Sequence, residues 1–555
     1  MPERTAALRS VGAAHTTGPG ELTLAEQAQV VFGLKRALGA THPAQPVGMV
    51  ETHISFVLLA GAHAYKIKKC VNLGFVDFST VALRRHFCEE ELRLNRRIAP
   101  QIYLDVVPIT CAGGQPALRG VGTVVDFALR MNAFAQDELW ERRVRRDALT
   151  FAHIDQLAAS LCALHRDAAT NPPDPHYGEP AQVRAPMLDT LDMLQTLLGP
   201  QQRECLAALA QVRNWEARAF TALEPAFAQR RAAGQVRECH GDLHLGNVTM
   251  MGGVPTMFDC LEFDPGLRWT DVMSDVAFLA MDLQRHARDD LAHRFVNACL
   301  EGSGDYDGAR VLRYHMVYRA LVRAKVAALR GARASDDVRA YLEVARRRSA
   351  PGGPVLFVTH GFSGSGKTTW TGQLLEAIGA IRIRADVERK RIAHLPALAR
   401  TNSAWRTGLY SSAANLATHE RLRAAAKSVL EGGFHAILDA TFLERDARDQ
   451  ARDLAHQLGA RFVILDFRAD EATLRRRILA RSERGDDASE AGLAVLENQF
   501  GNDVPLAVDE RPETIEIDAE QPWSRERIAA AGQAICAGDC GAGNAGTAAS
   551  FTSGP

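Results

Sequence analysis

Gly361-Phe362-Ser363-Gly364-Ser365-Gly366-Lys367-Thr368-Thr369 has residue types and a spacing that define a chemistry by themselves. The pattern is G-x-x-x-x-G-K-[ST], and it follows directly on an apolar, β-branched run, Val355 to Val358, of the kind that forms a buried parallel strand. Gly361, Gly364 and Gly366 let the backbone curl so that successive N–H groups point at phosphate oxygens, an approach that a Cβ would obstruct. Lys367 is placed to reach the β- and γ-phosphates, and the Thr368 hydroxyl to meet Mg²⁺. A helix opening at Thr368 turns its positive end toward the anion. Strand, loop and helix come in the order the mechanism needs, so residues 361–369 read as a nucleoside triphosphate site.

A second stretch is as heavily loaded: Cys239-His-Gly-Asp242-Leu-His-Leu-Gly-Asn247, followed by Met257-Phe-Asp259-Cys-Leu-Glu-Phe-Asp264. Asp242 and Asn247 are five apart, and Asp259 closes a short apolar strand. A polar turn with His240 and His244 as loop histidines is the plain alternative. Zinc is a weaker one, because no Glu follows the first His as in the metalloprotease signature.

These groups need a scaffold, and the chain is long enough for several structural units. It has 555 residues, 46% of them hydrophobic, and a formal net charge of −1. That balance gives no overall basic field, so general nucleic-acid binding is not expected. Apolar runs stay well short of the ~20 residues of a membrane helix, and the N-terminus has no signal-peptide core. Ten scattered cysteines fit a reduced compartment, so a cytoplasmic protein is expected. Cys536 and Cys540 form a close pair in a glycine-rich tail, where disorder is expected rather than a metal site.

In chain order, residues 1–22 read as unstructured, and a helix from Leu22 to Leu38 stops at Gly39. Ile54–Ala60 and Ala64–Lys68 form a hairpin around Gly61-Ala-His. A charged helix, Leu83–Ile98, and two apolar strands, Ile102–Ile109 and Val121–Leu129, complete a small lobe over about 23–130. A helical lobe follows over about 131–345. Prolines, glycines and a charge run mark a linker at 346–353. From 354 to 535 strands alternate with helices, which implies a parallel sheet wound on both faces with ligands at the carboxyl ends of its strands. Asp439 ends the strand Phe434–Asp439 as a Walker-B-type carboxylate for Mg²⁺. Asp386 follows Ile381–Arg384 and faces the acceptor side. Asp386 and Thr368 are expected after the ends of neighbouring strands, opening into one crevice. A helix N-cap is the competing role for Asp386. Residues 536–555 read as a disordered tail.

The spacing of Asp242 and Asn247 resembles that of the catalytic-loop Asp and Asn of protein kinases, and H-G-D-x-x-x-x-N resembles the aminoglycoside and choline phosphotransferase-like branch of that fold. The resemblance implies that Asp242 serves the acceptor hydroxyl and that Asn247 and Asp259 bind metal. It also asks the small lobe for a strand lysine and a helix glutamate. Lys66 is the first choice, with Lys68 on the same face, and the glutamate is Glu89, Glu90 or Glu91. No G-x-G-x-x-G precedes the hairpin, so a phosphate cover is expected around Thr52 and Ser55. Cys260 replaces the Phe of D-F-G.

Residues 354–535 resemble the small P-loop kinases related to polynucleotide kinase, zeta toxins and chloramphenicol phosphotransferase. There an Asp after the second strand deprotonates the acceptor, the role transferred to Asp386, with Arg389 one turn on for acceptor or phosphate. Leu474–Ser489 resembles their arginine-bearing lid, which aims Arg477 and Arg481 at the transferring group. A solvated face paired with Glu483 and Asp486 is the alternative. The two resemblances cover about residues 50–345 and 354–535, and joined in this way the chain resembles the bifunctional aminoglycoside phosphotransferase-like/ATP-binding proteins. This implies an α+β protein-kinase-like domain followed by an α/β P-loop kinase domain, with ATP and Mg²⁺ as cofactors and small hydroxylated molecules as acceptors. A regulatory ATP-binding switch and a P-loop ATPase are the competing readings.

Overall fold

In the computed structural model, the residues described are 21–538 except 42–45, 75, 171, 332–334, 351, 402–408, 410 and 485–486. The expected disordered segments 1–22 and 536–555 thus lie almost wholly outside the described residues, as do Cys540 and Asp486. The chain divides into two compact units, one comprising residues 1–149, 163–177 and 235–275, the other 150–162, 178–234 and 276–555.

The first unit is built on an antiparallel sheet. Its strands are β1 (Gly48–Glu51), β2 (Ser55–Ala60), β3 (His63–Lys68), β4 (Tyr103–Ala112), β5 (Gln115–Leu118) and β6 (Thr123–Asn132), in the order β1-β2-β3-β6-β4-β5. The expected hairpin is β2–β3, closed by Gly61-Ala62. Period-two alternation puts Lys66 and Lys68 on one face. Helix Leu24–Thr41 buries Val31, Leu34 and Leu38 at helical spacing against this sheet. It runs past Gly39, because one glycine costs only about 1 kcal/mol in a helix anchored by its buried face. Helix Val81–Arg96 starts at Thr80, whose side chain accepts the Leu83 N–H. β1 and β5, each four residues long, carry too short an alternation to read from sequence. The unit closes with β7 (Val236–Glu238), β8 (Val248–Met251), β9 (Val254–Met257) and β10 (Trp269–Asp271); β7 pairs with β10 and β8 with β9.

The second unit contains a fully parallel sheet: β11 (Val355–His360), β12 (Ile381–Arg384), β13 (Ala436–Asp439), β14 (Arg461–Arg468) and β15 (Thr514–Asp518), in the order β12-β13-β11-β14-β15. Every side chain of β11 and β13 is buried, which is why both read as continuous apolar runs. The strands preceding Thr368 and Asp386 are therefore not neighbours, contrary to expectation. Helix Ser412–Glu431 carries the chain back so that β13 enters between them. Helices Ala385–Ile392, Leu493–Asn502 and Arg525–Ala537 add to those read from the sequence, the last running through Cys536. No helix among the described residues is long and apolar enough to cross a membrane.

Candidate functional sites

The glycine-rich loop joins β11 to helix Lys367–Ile378, which opens one residue earlier than expected. Gly361, Gly364 and Gly366 have φ of +132°, +86° and +87°. A Cβ would stand 2.6 Å from the Phe467 carbonyl oxygen at Gly361, and 2.8 Å from that of Leu474 at Gly364. Glycine is thus required both for the backbone angle and for the close approach. Gln499 pins the loop from outside, accepting the Ser363 N–H at 2.9 Å and donating to its Oγ at 3.0 Å. Nothing in its sequence surroundings marked Gln499.

Lys367 Nζ donates to the carbonyls of Gly361 (2.8 Å) and Phe362 (2.7 Å). Burial pulls this ammonium down to about 8; Asp439 and Asp386 favour its charged form and Arg481 opposes it. Lys367 and these three groups line one cavity of about 890 Å³, together with the rest of residues 363–369 and Arg477. Asp439 ends β13, and its Oδ2 is buried with no hydrogen-bond partner among the described residues. A curled loop of N–H groups, a buried lysine, a hydroxyl at Thr368 and an unsatisfied carboxylate oxygen fit a triphosphate and its divalent cation.

Asp386 lies inside the first turn of helix Ala385–Ile392, whose N-cap is Arg384. The N-cap role is therefore set aside. Its carboxylate accepts from Arg389 Nη1 at 2.6 Å. Asn415, His419 and Arg423, successive turns of helix Ser412–Glu431, line the same cavity. Burial, with Arg389 and Arg423 nearby, pushes His419 down to about 4, so it is neutral at ordinary pH. Arg477 and Arg481 project from helix Glu471–Arg484 and donate to the carbonyls of Ala519 and Ala491, both at 2.7 Å. The pairing considered with Asp486 lies outside the described residues.

The second candidate site lies in the first unit. The β8–β9 hairpin pairs Val248 with Met257, and the Phe258 N–H donates to the Asn247 carbonyl at 3.0 Å, so Asn247 and Asp259 leave the same end of the hairpin. Asn247 Nδ2 donates to Asp242 twice, to its carbonyl at 2.9 Å and its carboxylate at 3.1 Å. Asp275, which the sequence did not single out, anchors this loop by accepting the N–H groups of His240 and Gly241, both at 2.9 Å. It also meets His165 Nε2 at 3.0 Å. Cys239 stands nearby, but with its oxygens so engaged Asp275 holds the loop rather than offering a metal a free ligand.

Of the three glutamates considered, Glu91 faces inward. Glu89 pairs with Arg85, and Glu90 with Arg93 and Arg268. Glu91 takes both lysines, Lys66 at 2.8 Å and Lys68 at 2.7 Å. Lys66 also reaches Asp259 at 2.6 Å, and Lys68 bonds to Glu262, a residue absent from the expected set. Burial by itself would raise the Glu91 carboxyl, yet the two ammonium groups hold it well below its usual range. Three carboxylates share two ammonium groups here, and burial raises Glu262 against the pull of Lys68. Asp259 has φ +63°, a left-handed backbone uncommon outside glycine, and its N–H donates to the Tyr103 hydroxyl at 3.0 Å. Thr52 and Ser55 bracket the β1–β2 turn, where Ser55 N–H donates to Thr52 Oγ1 at 2.9 Å. A half-buried carboxylate at Asp259, leaving the hairpin beside Asn247 and paired with an inward lysine, fits a phosphate-bound cation.

The Phosphotransferase enzyme family model matches residues 87–312, and an AAA domain model matches residues 356–502. The chain therefore joins a kinase-like phosphotransferase domain to a P-loop kinase-type domain, the pairing expected from its two motifs. It is similar over 451 residues, at 29% identity, to the uncharacterized protein Rv2004c of Mycobacterium tuberculosis, covering 80% of this chain and 88% of that one. Among solved structures it is similar to a sugar kinase from Janibacter sp. (20% identity, 34% of this chain, 99% of that chain, TM-score 0.25). It is also similar to a choline/ethanolamine kinase family protein from Mesorhizobium loti (13% identity, 59% of this chain, 94% of that chain, TM-score 0.34).

Proposed function

We propose that this protein is an ATP-dependent phosphotransferase with two ATP·Mg²⁺ sites, each passing the γ-phosphoryl group to a hydroxyl of a small-molecule acceptor in the cytoplasm. The observation that carries the reading is the convergence on one cavity of Lys367, Asp439, Asp386 and Arg481, where the buried Asp439 Oδ2 has no hydrogen-bond partner among the described residues. In that site Thr368 and Asp439 hold the cation, which neutralises developing phosphate charge. Lys367, Arg477 and Arg481 bind phosphoryl oxygens, and Asp386 accepts the hydroxyl proton while Arg389 orients its carboxylate. In the other site Asn247 and Asp259 hold the cation, Lys66 binds phosphate under the control of Glu91, and Asp242 takes the proton. Catalysis in both is positioning and charge neutralisation.

The test is an acceptor screen on the full chain with ATP, run in parallel on Asp386→Ala and Asp242→Asn. Each substitution should abolish phosphorylation of one set of acceptors and spare the other. ATP hydrolysis with no phosphorylated acceptor in a broad hydroxyl library would overturn the proposal in favour of an ATPase or a switch.

A further inference from the structure

Helix Asp289–Ser303 belongs by sequence to the segment that matches the phosphotransferase family, yet it packs within the second unit along β12, the edge strand of the P-loop sheet. The Arg382 N–H, pointing away from β13, donates to Asn297 Oδ1 at 2.7 Å. One turn on, Glu301 Oε1 stands 3.8 Å from Arg384 Nη1. A helical turn advances ~6 Å over four residues and a strand ~6.6 Å over two. Asn297 and Glu301 therefore keep step with Arg382 and Arg384. Nearer the start of the same helix, His293 Nδ1 bonds to the Glu376 carbonyl at 2.9 Å and Arg294 to its carboxylate at 2.6 Å, which fixes the helix against Lys367–Ile378.

Both arginines then contact residues at the P-loop site, Arg384 from within its cavity and Arg382 from beside it. Arg382 Nη1 donates to the Thr368 carbonyl at 2.6 Å and to Thr371 Oγ1 at 3.3 Å, and it stops 3.9 Å from Asp439 Oδ2. Arg384 lines the large cavity and donates to Asp487, just beyond the lid helix, at 2.9 Å. The first arginine thus touches the backbone of one expected cation ligand and stands short of the other.

We infer that Asn297 is a positioning residue for the cation end of the P-loop site, acting through Arg382, so that a helix from the phosphotransferase-family segment is a working part of the P-loop enzyme. This rests on the reading of Thr368 and Asp439 as the cation's ligands. By accepting the Arg382 N–H, Asn297 fixes β12 so that the guanidinium is held by Thr368 and meets Asp439 only in a long ion pair of 3.9 Å. Without that bond the strand edge moves, the guanidinium closes the remaining gap to Asp439 Oδ2, and it competes there with the cation.

The experiment uses the full chain carrying Asp259→Ala to silence the other cation site, and follows binding of a non-hydrolysable ATP analogue as Mg²⁺ is titrated, with melting temperature measured on the same preparations. Asn297→Ala should raise the Mg²⁺ concentration for half-maximal binding about tenfold or more, while Asn297→Asp, which retains an acceptor oxygen, should stay near the parent. An unchanged Mg²⁺ midpoint with a lowered melting temperature in Asn297→Ala would overturn the inference and leave a purely structural contact. Thr368→Ala separates the two readings: if it leaves the Mg²⁺ dependence intact, the cation assignment itself fails.

Discussion

Lys367 holds a charge that its surroundings disfavour until phosphate arrives. Its ammonium is depressed from 10.5 to about 8 by burial, so the free protein loses that proton well before the unfolded chain does. For stability the sign is unfavourable: the cost of the buried charge is fully present below pH 8 and relieved as pH rises from 8 toward 10.5. For binding the sign reverses, since triphosphate favours the charged form and raises the bound pKa. ATP affinity at the P-loop should therefore be flat below pH 8 and fall above it by up to about tenfold per pH unit, with proton uptake on binding. Calorimetry in buffers of different ionisation enthalpy measures this. A pH-independent affinity between 7 and 9.5 would show that Lys367 does not meet the phosphates. At the other site, Asp242→Asn should lower phosphotransfer by ~100-fold or more with ATP binding largely retained. Asp259→Ala should instead remove the Mg²⁺ dependence of binding. Losing both properties together in Asp242→Asn would argue that this residue holds the loop rather than the acceptor.

Among the elements, the glycine loop is the most sharply constrained. Gly364→Ala must place a Cβ 2.8 Å from the Leu474 carbonyl at φ +86°. Backbone strain of ~1–2 kcal/mol is expected from the angle alone. ATP binding at that site should be lost, while an alanine at Gly459, where φ is +64° but nothing lies within 4 Å, should cost stability only. Parallel melting and ATP-binding measurements on the two variants check this. The loop was legible in the sequence because its demands are local, each glycine answering for its own φ and its own neighbour. The β2–β3 hairpin was legible too, since alternation names the face that carries Lys66 and Lys68. Glu91 was not separable from Glu89 and Glu90 by composition, although the stripe Arg84, Cys88, Glu91 and Asn95 that helix Val81–Arg96 buries recurs at helical spacing and marks its inward face. The strand order escaped because the insertion of β13 depends on how helix Ser412–Glu431 returns over the sheet, which no short stretch encodes. Glu262, Asp275, Arg382 and Gln499 escaped for a related reason: each acts on a residue far away in the chain.

At the scale of the whole molecule, the boundary that motifs suggest near residues 346–353 and the boundary drawn by packing do not coincide, because helices before the linker belong to the unit that holds the P-loop. The edge strand makes this a matter of solubility as well as catalysis. β12 offers an outward row of backbone groups that helix Asp289–Ser303 screens, and a piece of the chain cut at the linker would leave that row bare. Such a fragment, residues 351–555, should self-associate as its concentration rises, recruiting further copies through the exposed edge. The full chain should not do so by this route. Light scattering across a dilution series of each would show the difference, and equal behaviour of the two would mean that Arg382 and Arg384, with their charges on the edge strand, are protection enough.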